Sequence, residues 1–276
     1  MSPSPDPADP DRPLPPLFPG RTGAGIRIAV IDSGVHPGHD HIDADRIAPG
    51  TAIGADGGIE EGVDVARDYL GHGTAVTAAI QEKAPEAVCI PVRVFERALR
   101  TNSRVLAAAI RWSIAQQVDL INLSLGSTNP AHADLFARLV EEASDAGTLI
   151  VAAREADGVP CYPGITDGVL PVELDWECPR ARFGLAGTPE RPILRASGYP
   201  RAIPGVPHRR NLYGISFAVA QVTGFAALAG EGLPQSRVTA LIDAIREQAS
   251  ENRHPREGGD PYSQRFGGYG SPPSRG

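Results

Sequence analysis

The stretch Ile26-Arg-Ile-Ala-Val-Ile31-Asp32-Ser-Gly34 decides the fold of this chain. Ile26–Ile31 is nearly continuous in apolar residues, as a parallel strand buried on both faces requires. Asp32-Ser-Gly34 then breaks the run with turn chemistry. A carboxylate just past such a strand stands at the sheet edge where α/β folds build their sites.

The same rhythm continues outward. Val88–Val94, Val118–Leu125, Thr148–Ala153 and Val169–Leu174 read as further strands. Between them lie helical patterns at Thr74–Glu82, Ser103–Gln116 and His132–Ala146, followed by Phe217–Ala229 and Ser236–Gln248. In Ser103–Gln116 the stripe is Val105, Leu106, Ala109, Ile110 and Ile114, with Asn102 or Ser103 able to cap it. Alternation of this kind predicts an α/β fold, a doubly wound and mainly parallel sheet with helices on both faces.

Composition bounds the function. Of 276 residues 41% are apolar, enough for a substantial core, and the formal net charge is −7. An acidic chain has no electrostatic reason to bind nucleic acid. No run reaches the length of a membrane span. The N-terminal residues carry no basic segment followed by an apolar one, so no secretory signal is read there. The three cysteines, Cys89, Cys161 and Cys178, cannot all pair within the chain. Together these features lead to an expected cytoplasmic location with reduced thiols. Residues 1–25 are rich in Pro and Asp and are expected to form a flexible arm, 26–249 the folded domain, and 250–276 a disordered low-complexity tail.

Three segments at element ends carry chemistry. Asp32 ends a strand, His72 in Gly71-His72-Gly-Thr74 opens a helix, and Ser216 in Gly214-Ile-Ser216-Phe-Ala218 opens another. A serine hydroxyl is a weak nucleophile, so an imidazole must take its proton and a carboxylate must orient that imidazole. A helix N-terminus at Ser216 offers a backbone N–H to a developing oxyanion. Taken singly, Asp32 could be a turn residue, Ser216 a helix cap and Gly71-His72-Gly73 a tight turn.

Together, in the chain order Asp, His, Ser, these segments resemble the subtilisin-like serine proteases. That family's motifs are D-S-G, H-G-T and G-T-S-M-A, and Leu123-Ser124-Leu125-Gly126 is similar to its S-L-G strand. The resemblance implies a serine endopeptidase with Asp32, His72 and Ser216 as catalytic triad. It also implies an extended peptide or protein precursor lying against Ser124, Leu125 and Gly126, which wall the pocket for the residue before the scissile bond, and against Ala152 and Ala153. No cofactor and no metal are expected.

This chain departs from the family at several positions. Ile215 replaces the threonine of G-T-S, Ala220 the proline that follows the motif, and Ala75 the second histidine of H-G-T-H. Where the family reads A-A-G-N, this chain reads Ala152-Ala153-Arg154-Glu155. An ionised Glu155 would repel an oxyanion. Either Arg154 donates in its place or the site is weakened, since losing such a donor costs roughly 100- to 1000-fold in rate.

Within the family, HGTAVTAAIQEKAP, NLSLGSTNPAHA and RNLYGISFAVA are similar to the maturation protease of quinohemoprotein amine dehydrogenase. That likeness implies removal of a leader peptide from the small-subunit precursor. An alternative expectation is a catalytically weak escort that only binds a leader peptide. An esterase of the G-x-S-x-G type is disfavoured, because the last position is Ala218. The histidine-rich stretch His36–Asp43 lacks a complete zinc pattern, and Asp68 is read as a residue that positions the His72 helix.

Overall fold

A computed structural model describes residues 14–251, apart from positions 61, 63, 96–97, 157, 189–190, 208–209 and 234–237. The elements in chain order are β1 (Arg27–Asp32), β2 (Thr51–Ile53), β3 (Ile59–Glu60), α1 (His72–Lys83), β4 (Val88–Arg93) and α2 (Ser103–Ala115). There follow β5 (Leu120–Leu123), α3 (Ala133–Asp145), β6 (Leu149–Ala153), β7 (Glu155–Ala156), β8 (Val159–Pro160) and β9 (Leu170–Leu174). The last are β10 (Phe183–Gly187), β11 (Pro192–Ala196), α4 (Ile215–Gly230) and α5 (Val238–Glu251).

Nine strands form one sheet in the order β10-β11-β9-β6-β5-β1-β4-β2-β3. From β11 through β2 every neighbouring pair is parallel, and only the β10–β11 and β2–β3 pairs at the two edges are antiparallel. The expected mainly parallel sheet is therefore present. Its antiparallel edges arise from short connections, which parallel pairs cannot use.

Two apolar layers sandwich the sheet. On one face Ile28 and Val30 of β1 pack with α1, α4 and Ile245 of α5. On the other face Ala29 and Ile31 pack with α2 and α3. The period-two alternation of β1 thus feeds both layers, which is why its sequence reads as an unbroken apolar run. Asp32 falls on the α1/α4 side by the same alternation. α4 is apolar all round, and Phe217 through Gly230 are all buried, so it lies between α1 and the sheet.

The arm expected over residues 1–25 needs correction where it is described. Leu17 and Phe18 are buried in the α1/α4 layer. The Arg21 guanidinium donates to Ala229 O at 2.7 Å and Leu228 O at 3.2 Å, at the end of α4. In return, Glu231 accepts from the Thr22 and Gly23 N–H groups at 2.6 and 2.8 Å. Two apolar residues and one arginine suffice to dock this segment because α4 leaves its last carbonyls without intrahelical donors. Residues 1–13, and the expected tail from residue 252 onward, lie outside the described residues.

Candidate active site

Asp32 ends β1 in full burial, and His72 is the first residue of α1. The His72 Nδ1 and the Asp32 Oδ1 are 2.7 Å apart. The same Asp32 oxygen accepts from the Ser33 N–H at 2.7 Å. Gly34 is required here. Its φ is +97°, and an added Cβ would meet the Ala66 carbonyl oxygen at 2.2 Å. Val35 beyond it bridges Arg67 in parallel, which brings the segment leading into α1 back beside β1.

The start of α1 is built by Asp68. One of its oxygens accepts from the Leu70 and Gly71 N–H groups, the other from the Thr74 N–H and Thr74 hydroxyl, all within 2.6–2.9 Å. This carboxylate satisfies the donors that a helix N-terminus leaves unpaired, so the helix begins at His72 rather than at the expected Thr74. The Ser33 hydroxyl accepts from the Gly73 N–H at 2.8 Å and ties the two segments together. Asp68 is the positioning residue that the sequence suggested.

Burial disfavours the His72 imidazolium. The hydrogen bond and charge of Asp32, helped by the charge of Asp68, outweigh that burial and hold His72 above its ordinary value. The remaining ring nitrogen faces no hydrogen-bond partner among the described residues. Against this imidazole lies Phe217, with ring centroids 5.8 Å apart. Ser216 is the preceding residue, in the first turn of α4, where N–H groups have no intrahelical acceptor. The structure thus brings Asp32 and His72 into direct contact and the Ser216 turn into their neighbourhood. Ser216 and His72 make no hydrogen bond to each other, a looseness usual in unliganded sites.

Arg154 is placed elsewhere. Its guanidinium pairs with Glu173 at 2.8 Å, and Arg195 pairs with the other Glu173 oxygen at 3.0 Å. Glu173 stands between Val172 and Leu174, whose side chains join the α1/α4 layer, so Glu173 and Arg154 occupy the opposite sheet face. The expected oxyanion role of Arg154 is corrected accordingly, because strand alternation and a carboxylate partner turn it away from His72. Burial, with the charge of Glu155 as the smaller cause, pushes the Cys161 thiol up to about 11.

The expected substrate-binding residues divide. Ser124–Gly126 continue β5 past its last ladder pair, Leu123 with Ala152; Ser124 and Leu125 are half-buried and Gly126 is exposed. Ala152 and Ala153 are buried, and their strand lies between β5 and β9. Gly164 approaches so closely that a Cβ there would lie 1.8 Å from the Ala153 carbonyl oxygen. An interior strand has no open edge, so backbone pairing with a substrate suits 124–126 and not Ala152 or Ala153. Sequence reasoning missed Cys161, whose thiol donates to Ala153 O at 3.2 Å and closes the floor between these two segments. Its signal was the glycine-dense, Pro-bounded stretch before β9.

Among the described residues no three His, Cys, Asp or Glu side chains gather as metal ligands, and no helix is long and apolar enough to cross a membrane.

Comparison with known proteins fits this geometry. The family model described as "Subtilase family" matches residues 23–155, which include Asp32 and His72. The chain is 35% identical over 166 residues to the minor extracellular protease Epr of Bacillus subtilis, covering 55% of this chain and 24% of that protein. It is 31% identical over 243 residues to the thermostable alkaline protease of Halalkalibacterium halodurans, covering 84% of this chain and 64% of that protein. It therefore spans less than two thirds of these two relatives. Subtilisin BL of Lederbergia lenta is 28% identical, with 84% of this chain and 86% of that protein covered. Among solved structures, Sphericase superposes with a TM-score of 0.64 at 22% identity, covering 82% of this chain and 83% of that one. The fold is subtilisin-like.

Proposed function

We propose, for a chain with a subtilase-family match over residues 23–155 and a subtilisin-like fold, a serine endopeptidase that uses Asp32, His72 and Ser216. The observation that carries this reading is the 2.7 Å contact between Asp32 and His72 beside the first turn of α4. Asp32 fixes the His72 tautomer that leaves the other ring nitrogen free to take a proton. Ser216 Oγ attacks the scissile carbonyl, and its proton passes to His72. Collapse of the tetrahedral intermediate returns that proton to the leaving amine. Water then repeats the sequence on the acyl-enzyme.

The Ser216 N–H is the oxyanion donor this chain offers. With Arg154 engaged by Glu173, turnover is slower than that of a site with a second, side-chain donor. A slow, selective enzyme suits processing better than scavenging. We assign the cleavage to a precursor, a leader peptide such as that of the quinohemoprotein amine dehydrogenase small subunit, in the cytoplasm. The sequence likeness of the segments around His72, Ser124 and Ser216 supports that finer reading.

The test is labelling with a fluorophosphonate and assay on candidate leader peptides, for wild type and Ser216→Ala. Labelling and cleavage that vanish in the variant, with Tm unchanged, support the assignment. An alanine variant that still cuts or labels overturns it.

A further inference from the structure

A cavity of about 430 Å³ opens beside the candidate site, next to the residues that lead into both catalytic helices. Tyr69 and Leu70 line it three and two residues before His72, and Leu212 lines it four residues before Ser216. The 36–41 loop and Arg201 complete its wall. This loop leaves β1 toward β4, since Ile47 bridges Cys89 and Ala48 donates to Cys89 O. Ser124–Gly126 follow β5, on the other side of β1. The cavity and the substrate wall therefore flank the catalytic residues from opposite sides. If the wall receives the residue before the scissile bond, the cavity receives the residue after it.

Its chemistry is unusual for so apolar a cleft. Tyr69 is largely exposed within it, and Ile203 and Leu212 are exposed over less than half their surface. Among them sits Arg201, half-buried, whose guanidinium donates to the His41 carbonyl oxygen at 3.2 Å. Among the described residues no carboxylate pairs with it. Every other acidic group nearby is occupied or outside. Asp68 lines the cavity, but four donors saturate it. Glu82 pairs with Lys83 and Arg180. Asp40 is on the exposed rim of the loop. Burial, Arg201 and His39 together hold His41 below its ordinary value, so Arg201 carries the fixed charge at neutral pH.

From this arrangement we infer that Arg201 is a specificity-determining residue, selecting substrates with an acidic side chain just after the scissile bond, flanked by apolar groups that rest on Tyr69 and Leu212. An arginine with free donors in a partly dehydrated cleft forms its best pair with a carboxylate, and a lysine in the same place would leave two like charges together. The inference rests on the peptidase reading, and acyl transfer separates the two.

In acyl transfer the leaving-group side is read alone. An ester substrate acylates Ser216 and expels its alcohol. Added amines then compete with water. Attack by the amine nitrogen forms the amide C–N bond, breaks the ester bond to Ser216 Oγ, and returns the amine proton through His72 to that oxygen. The ratio of aminolysis to hydrolysis normalises each enzyme to itself. Dipeptide amides differing only as Glu, Gln or Lys in the first residue are the probes. Wild type is expected to favour Glu over Gln by about tenfold and to take Lys worst. Arg201→Lys should keep that order, Arg201→Ala should erase it, and Arg201→Glu should reverse it toward Lys. An enzyme that hydrolyses the ester with no preference among the amides, or keeps the preference in Arg201→Glu, overturns the inference while leaving the peptidase intact. Failure of wild type to be acylated overturns the peptidase reading itself.

Discussion

Arg154 and Glu173 form a 2.8 Å ion pair on the sheet face away from His72, with Arg195 on the same carboxylate. A guanidinium held there cannot meet a charge developing at Ser216. Replacing Arg154 by alanine is therefore expected to change kcat by less than about threefold. Loss of an oxyanion donor would lower it by roughly 100-fold or more with little change in KM. Steady-state kinetics on one good peptide decides between them, and a large fall in kcat alone would return Arg154 to the reaction.

The Asp32–His72 contact sets a pH dependence. Because His72 is held above its ordinary value of 6.5, the neutral base is formed only above that pH, and kcat/KM should rise through an apparent pKa higher than 6.5. The sign for stability is opposite. A raised folded-state pKa means the stabilisation from this pair is complete below 6.5 and fades as pH climbs through the folded value. Asp32→Asn removes the Asp32 charge and leaves at most a neutral hydrogen bond, so the His72 imidazole titration followed by NMR should move downward. In the same variant kcat should fall by roughly 10⁴-fold. An unmoved titration would show that Asp32 does not govern this histidine.

Arg21 closes the C-terminal end of α4 through the Leu228, Ala229 and Glu231 carbonyls. A positive charge at that end is favourable on both hydrogen-bonding and dipole grounds. Arg21→Ala should lower Tm by about 2–4 °C, read by calorimetry. Arg21→Lys should recover part of the loss. No change in either variant would mean that Leu17 and Phe18 alone dock the segment.

All three thiols are buried, and burial pushes Cys89 and Cys178 up to about 12 and Cys161 to about 11. Thiolate is the reactive form, so native protein at neutral pH should react negligibly with a disulfide reagent. Denatured protein should release three equivalents. Fast titration of even one equivalent in native protein would show that the cleft floor at Cys161 opens.

How much of this was legible in the sequence depends on the range of the interaction. β1, the strands around it and the helices after His72 and before Ser216 were readable because local apolar period and turn residues fix them. The start of α1 was read two residues late, since its cap comes from Asp68 and not from an adjacent residue. The outer strands β2, β3, β10 and β11 escaped notice, as their pairing is set by neighbours and not by pattern. Arg154 was misassigned because alternation past a strand end depends on Glu173, 19 residues on. The docking of Leu17 and Phe18 was hidden in Pro- and Asp-rich surroundings, and the carbonyls that hold the neighbouring Arg21 lie 207 and 208 residues away.

α4 enters between α1 and the sheet as an almost wholly buried helix, and it is the element that bears Ser216. On the ribosome, α1 and most of the sheet are made long before it. Until α4 arrives, the apolar sheet face that it covers is left open to water. Ser216 is thus delivered by the same event that seals the core, so Asp32, His72 and Ser216 come together only once α4 has packed.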